Sequence, residues 1–265
     1  MSLIDSHTHL DSFSDSDISD ILTRSKEAGV TALITAGTTY ESSVRAVEIT
    51  SKFEEIFSGI GIHPMDLTGP VDEQLCKRLI NLASSSNKVV VMSEIGLDFM
   101  EGTPDRAIQY QAFRMQIRVA RSLKLPIVFH TRAATEETLR VLREEQAYEV
   151  GGIMHYFQGD LKTAQEVIDQ GFLISLARPL LRLPELQSVA SSIPLKYIVL
   201  ETDSAPQPFK AKRENWTEPR HIKTVASKLA ELQNLEFKEV EKITTRNLTN
   251  MLGKSCTLVQ YINSV

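Results

Sequence analysis

Apolar positions along this chain fall into two alternating patterns. Short runs occur as LIDSH (Leu3 to His7), ALITAG (Ala32 to Gly37), IFSGIGIH (Ile56 to His63) and VVVMSEIG (Val89 to Gly96). Four more follow: PIVFH (Pro126 to His130), GIMHYF (Gly152 to Phe157), FLISL (Phe172 to Leu176) and YIVLETD (Tyr197 to Asp203). Runs this apolar suit strands buried on both faces, as in a parallel sheet. Between them the apolar residues recur at helical spacing. Ile18, Ile21 and Leu22 share a face with Ser25, and Val44 and Val47 with Glu48. Residues 107–123 carry Ile108, Ala112, Met115, Val119 and Ser122, while Leu139, Val141 and Leu142 mark another helix, and Ala164, Val167 and Ile168 a further one. Gly29 and Gly171 stand immediately before strands, where a helix exit favours left-handed backbone. Eight strands with helical crossovers predict an α/β fold, the (β/α)8 TIM barrel. Two further helical segments follow, at about 218–232 and 237–252. No linker, low-complexity tract or repeat interrupts the alternation, so residues 1–265 read as one domain, with about 254–265 as a C-terminal extension.

Composition changes this picture little. With 42% hydrophobic and 24% charged residues the chain is an ordinary globular sequence, and its length suits one barrel. A formal charge of -5 rules out a global basic field and counts against a protein that coats nucleic acid. Cys76 and Cys256 are far apart and form no metal-ligand pair, which fits reduced thiols in the cytoplasm. The opening MSLIDSHTHL has no basic stretch followed by a long apolar one, and no run approaches a membrane span, so a cytoplasmic location with no membrane contact is expected.

The chemistry lies where the strands end. His7 and His9 close the first run, Glu94 lies near the end of the fourth and His130 ends the fifth. His155 ends the sixth and Asp203 the eighth. A barrel of parallel strands would gather all six at its C-terminal mouth, where such enzymes place their active sites. Side chains at i and i+2 of an extended chain point the same way, so both imidazoles of His-x-His can reach one ion. Imidazole with carboxylate suits zinc, manganese, iron or cobalt better than magnesium. Six ligands exceed the needs of one tetrahedral ion, which favours two divalent ions (Mg, Mn or Zn) bridged by a carboxylate, with Glu94 as the bridge. Such a pocket is strongly positive and suited to phosphodiester displacement.

The ordered series IDSHTHLD (4–11), GIHP (61–64), SEIGLDF (93–99), PIVFHTR (126–132), HYFQG (155–159) and ETDS (201–204) resembles the TatD family of metal-dependent deoxyribonucleases, in the amidohydrolase-like barrel superfamily. EVEKITTRNLTNML resembles that family's final helix. The resemblance implies hydrolysis of DNA phosphodiesters, commonly from a 3′ end, on single-stranded ends. It also implies His7, His9, Glu94 and Asp203 around one ion, and Glu94, His130 and His155 around the second. Asp203 would take a proton from the attacking water, which makes Asp203 and Glu94 the catalytic pair. Glu201 joins them beside the site, with His63. Arg132 would meet a phosphate oxygen. Lys212 and Arg213, with Lys210, Phe209 and Trp216 nearby, would grip a strand through phosphate contacts and stacking.

The chain departs from the family pattern at Ser93, Ala205, Lys212 to Pro219 and Ala177-Arg178-Pro179, all outside the ligand set and mostly in loops expected to meet substrate. An alternative keeps barrel and metals but acts on an amide, lactone, aminoacyl ester or deamination substrate. Enzymes that need a carboxylated lysine bridge are disfavoured, because Glu94 stands as the bridge. A non-catalytic binding component would be expected to have lost ligands, and here every one is present.

Overall fold

The computed structural model describes residues 3 to 265. Its strands are β1 (Leu3–Thr8), β2 (Val30–Ala36), β3 (Ile56–Ile60), β4 (Val89–Asp98), β5 (Ile127–Arg132), β6 (Gly152–Met154), β7 (Leu173–Leu176) and β8 (Ile198–Leu200). They pair in sequence order and all in parallel, as one eight-stranded sheet. The seam is nearly closed by a single parallel bridge between Thr8 and Ser204. His9 N also donates to Ser204 O at 2.8 Å, and Asp203 N to His7 O at 3.1 Å. The barrel is therefore closed by the predicted ligands His7, His9 and Asp203 and their neighbours Thr8 and Ser204.

The helices are α1 (Asp15–Glu27), α2 (Tyr40–Lys52), α3 (Glu73–Ser84), α4 (Arg106–Leu123), α5 (Thr135–Glu144), α6 (Leu161–Asp169), α7 (Pro184–Ser192), α8 (Ile222–Gln233), α9 (Phe237–Leu252) and α10 (Thr257–Ser264). Polar caps set many of their starts: Ser14, Thr39, Asp72, Asp105 and Asp160 each accept from a first-turn N–H. The expected buried faces appear, as with Ile18, Ile21, Leu22 and Ser25 of α1. Two crossover helices not anticipated from the pattern, α3 and α7, bury Cys76, Leu79 and Leu82, and Leu186, Val189 and Ala190. The segment expected to be helical from 218 begins instead at Ile222, because Pro219 opens a separate 3-10 turn at Pro219–His221.

Two apolar layers hold this arrangement. The larger lies between strands and helices and includes Leu3, Leu33, Ile60, Phe113, Phe129 and Leu229. The smaller draws Ile4, Ile34, Phe57, Val90, Val128, Ile153 and Val199 from seven strands, with Leu173 of β7 packed alongside, so it fills the barrel interior. Leu248 of α9 and Leu258 of α10 join it, with Tyr261 and Ile262 partly buried against it. The C-terminal extension is thus a helix that plugs the lower end of the barrel.

Candidate active site

The opposite end is polar. Several expected strand ends shift there. β6 stops at Met154, so His155 follows the strand, and Tyr156 turns the chain in left-handed backbone at φ 49°. β8 stops at Leu200, and Asp203 lies beyond it at φ 52°. Left-handed backbone is unusual for a tyrosine and tolerated by aspartate, and such residues gather at functional sites.

Glu94 is not near the end of its strand. β4 continues to Asp98, pairing with β5 from Ile95 opposite Phe129 to Asp98 opposite Arg132. A register irregularity between Met92 and Ile95 brackets Glu94, the kind of break that re-aims a side chain. Gly96 lets the two strands close in: a Cβ there would fall 2.0 Å from His130 O.

Glu94 occupies the centre of the cluster. Its Oε2 lies 3.4 Å from His7 Nε2 and 3.7 Å from His9 Nε2. Its Oε1 lies 3.1 Å from His130 Nδ1, 3.5 Å from His63 Nε2 and 3.6 Å from His155 Nε2. Asp203 Oδ1 reaches His9 Nε2 at 3.2 Å. Ligand atoms of three triads lie within 4.8 Å of one another: His7, His9 and Glu94; His7, His155 and Asp203; and His63, Glu94 and His130. All six predicted ligands are brought together, and His63 joins them.

The charges follow from this crowding. Burial opposes ionisation of Glu94, yet the surrounding imidazoles, His155 and His63 foremost, hold it well below the usual carboxylate range. Asp203 is likewise held down against burial, by its bond to His9 and the charge of His155. His9 is raised to about 9, its burial outweighed by Asp203 and Glu94, and His155 to about 10, its burial outweighed by Glu201 and Glu94. His7 goes the other way: burial and the neighbouring His155 lower it, which favours the neutral ring.

The donor set suits divalent cations. Neutral imidazole and carboxylate are the ligand types for zinc or manganese. His7 Nδ1 is buried without a hydrogen-bond partner, and leaving such an atom unsatisfied costs about 1–3 kcal/mol. Without cations, five imidazoles face acids around one carboxylate; cations would replace the protons that now balance it.

Behind these residues stand buried acids. Glu201 is fully buried, its Oε1 3.0 Å from His155 Nδ1 and accepting from Tyr156 N at 2.8 Å. It reaches the site through His155. Asp98 was not singled out from the sequence, although it lies in the SEIGLDF stretch at i+4 from Glu94. It is fully buried, with Oδ2 2.9 Å from His130 Nε2 and accepting from Arg132 Nε at 2.8 Å. Asp5 was also missed; it accepts from Thr202 N at 2.9 Å and ties β1 to the segment carrying Asp203.

The candidate substrate contacts divide. His63 and Arg132 line a cavity of about 570 Å³ with His9, Glu94, His130 and Asp203, although Arg132 is already engaged by Asp98. Lys212 and Arg213 do not line it. Lys212 is exposed, 3.6 Å from Glu214. Arg213 donates to Asp17 at 2.9 Å and lies over the rings of Trp216 and Phe13, at 4.7 and 5.6 Å. That guanidinium ties the loop to α1.

An eight-stranded parallel barrel with imidazoles and carboxylates gathered at its C-terminal mouth defines the class of metal-dependent barrel hydrolases. The chain belongs to the TatD related DNase family, whose sequence profile matches residues 4–253. It is 35% identical over 251 residues to the uncharacterized metal-dependent hydrolase YabD of Bacillus subtilis, covering 92% of this chain and 96% of YabD. It is 29% identical to the deoxyribonuclease TATDN3 of Homo sapiens, covering 97% of each. Among solved structures, the TatD homologue YJJV of Escherichia coli superposes with a TM-score of 0.83 at 25% identity, over 94% of this chain and 97% of that one. The protein is a metal-dependent hydrolase of this family. Among the described residues no helix is long and apolar enough to cross a membrane.

Proposed function

We propose that the protein hydrolyses DNA phosphodiester bonds, removing nucleotides from the 3′ end of a single strand, with two divalent cations in the barrel mouth. The observation that carries this reading is the division of Glu94, one oxygen turned to His7 and His9 and the other to His63, His130 and His155. A carboxylate so divided would offer one oxygen to each of two cations. His7, His9, Glu94 and Asp203 would hold one; Glu94, His130 and His155 would hold the other. When bound, such cations supply positive charge that offsets the charge developing on the attacking and leaving oxygens.

The chain's own groups do the remaining work. Asp203 sits at the cavity edge as an ionised acceptor, able to orient a water against the phosphorus and take its proton. The P–O3′ bond breaks as the P–O bond to water forms. Because Asp203 binds a proton weakly, it passes the proton on to the leaving O3′. The products are a 5′-mononucleotide and a strand shortened by one residue with a free 3′-hydroxyl. Asp98 holds the His130 ring by a hydrogen bond, and Glu201 sets its charge against the His155 ring. The relatives named as hydrolases and as a deoxyribonuclease support the reading.

The test uses 3′- and 5′-labelled single strands with metal-stripped protein and added magnesium, manganese or zinc. The expected result is stepwise loss of the 3′ label and a ladder from the 5′-labelled strand. Absence of cleavage with all three metals, alongside turnover of an ester, lactone or amide, would refute it.

A further inference from the structure

A second cavity, of about 500 Å³, opens against the first on the β7 and β8 side of the mouth. Asp203 and Tyr156 line both, so they form the shared wall. The second cavity is lined by Arg178 and Arg182, from the turn after β7, and by Phe209 and Lys210, from the loop after β8. Asp203 is its only acidic lining residue.

These cations are incompletely compensated. The Arg182 side chain is exposed and makes no hydrogen bond or ion pair among the described residues. Arg178 engages Thr217 Oγ1 through one nitrogen at 3.0 Å, and Lys210 Nζ donates to Asn215 O at 2.9 Å; neither meets a carboxylate. Their mutual field is visible nearby. Burial and then Arg178 lower both the Lys210 ammonium and the His221 imidazole. Phe209 is 79% exposed, the most exposed large hydrophobic side chain among the described residues. An aromatic ring left in water beside unpaired cations, next to a hydrolytic centre, matches what an unpaired nucleotide strand requires: phosphate contacts plus a stacking face.

We infer that this groove holds the nucleotide next to the scissile bond, its backbone phosphate against Arg178, Arg182 and Lys210 and its base on Phe209. The inference rests on the nucleic-acid reading above and deepens it. The anion-gripping role expected of Lys212 and Arg213 falls instead to residues on the opposite side of the same loop and on the turn after β7. The Ala177-Arg178-Pro179 departure from the family pattern becomes the source of one of these cations. A cavity of this size admits one nucleotide-sized group, so affinity gains from a second nucleotide and changes little beyond it.

Binding is measurable without turnover. Fluorescence anisotropy of a labelled single-stranded oligonucleotide is followed at low salt with full-length protein in EDTA. Arg182→Glu is expected to weaken binding at least about tenfold and to flatten the salt dependence. Phe209→Ala is expected to weaken it about five- to tenfold. Lys162→Glu, which changes net charge equally on an exposed helix away from both cavities, serves as the control and should stay within about twofold. Affinity should rise from mononucleotide to dinucleotide and change little beyond. No binding by wild type, equal losses in Arg182→Glu and Lys162→Glu, or affinity independent of length would each overturn the inference, the last by marking a site for small free anions. Phe209→Ala guards against a folding defect in the charge-reversed variant. Cleavage assays judge the proposed function separately. A protein that binds through the groove yet cuts no phosphodiester keeps this inference and loses that one.

Discussion

The two ends of the barrel are built from the same eight strands and differ in almost every physical respect. At the lower end Ile34, Phe57, Val128 and Val199 meet Leu248 and Leu258 in an interior closed by α10. At the upper end five histidines crowd around Glu94, three of them also facing Asp203, Glu201 or Asp98, His7 Nδ1 has no partner, and Tyr156 and Asp203 adopt left-handed backbone. One end is satisfied by burial. The other leaves buried polar atoms such as His7 Nδ1 without a protein partner and gathers a donor set that suits divalent cations. The lower end should therefore carry stability and the upper end activity, with little exchange between them.

The sharpest break in that comparison comes from Asp203→Asn, which keeps the shape and removes the charge of the proposed proton acceptor and metal ligand. Hydrolysis should fall by about 10²–10⁴-fold, while the circular dichroism spectrum stays that of wild type. An active Asp203→Asn would remove Asp203 from the chemistry. At the other end, Leu258→Ala should cost about 2–5 kcal/mol in a denaturant titration and leave kcat per folded molecule unaltered. If instead kcat collapses, α10 is coupled to the mouth and the division between ends fails.

Smaller effects sharpen the picture. Glu201→Gln removes the charge facing His155, and metal affinity should drop about 10–100-fold with the fold intact. In the metal-free protein His9 and His155 carry protons below about 9 and 10, respectively. A cation needs them neutral, so manganese affinity should weaken as pH falls from 8 to 6, and uptake should release protons. Calorimetry in buffers of different ionisation enthalpy measures that release; a pH-independent affinity would mean these rings are not ligands. Smallest is Arg213→Ala. Its ties to Asp17 and Trp216 are on the surface, so about 1 kcal/mol of stability is expected to be lost, with unchanged oligonucleotide affinity.

Much of this site was readable in one dimension because the barrel makes sequence position equivalent to spatial position. Every strand of a parallel barrel points its C-terminal end at one rim, so a histidine late in any apolar run arrives at the same mouth. His7, His9, His130, His155 and Asp203 followed that rule. Glu94 reached the mouth by a different route, from mid-strand at a register irregularity, since β4 runs on to Asp98. Asp98 and Asp5 escaped notice because an isolated acid in an apolar run has no periodicity to mark it.

What the chain alone determined was the strand order, the single barrel and the list of groups near its mouth, since local hydrophobic period and parallel topology are enough for these. Tertiary structure alone decided which charges are free. Arg213 and Arg182 look alike as letters, yet one guanidinium is held by Asp17 and Trp216 and the other stands uncompensated in a groove beside Asp203. Charge compensation depends on distances between side chains remote in sequence. The same holds for the Glu94 carboxylate, whose two oxygens acquire different neighbours only when β1, β4 and β5 and the segments after β3 and β6 converge.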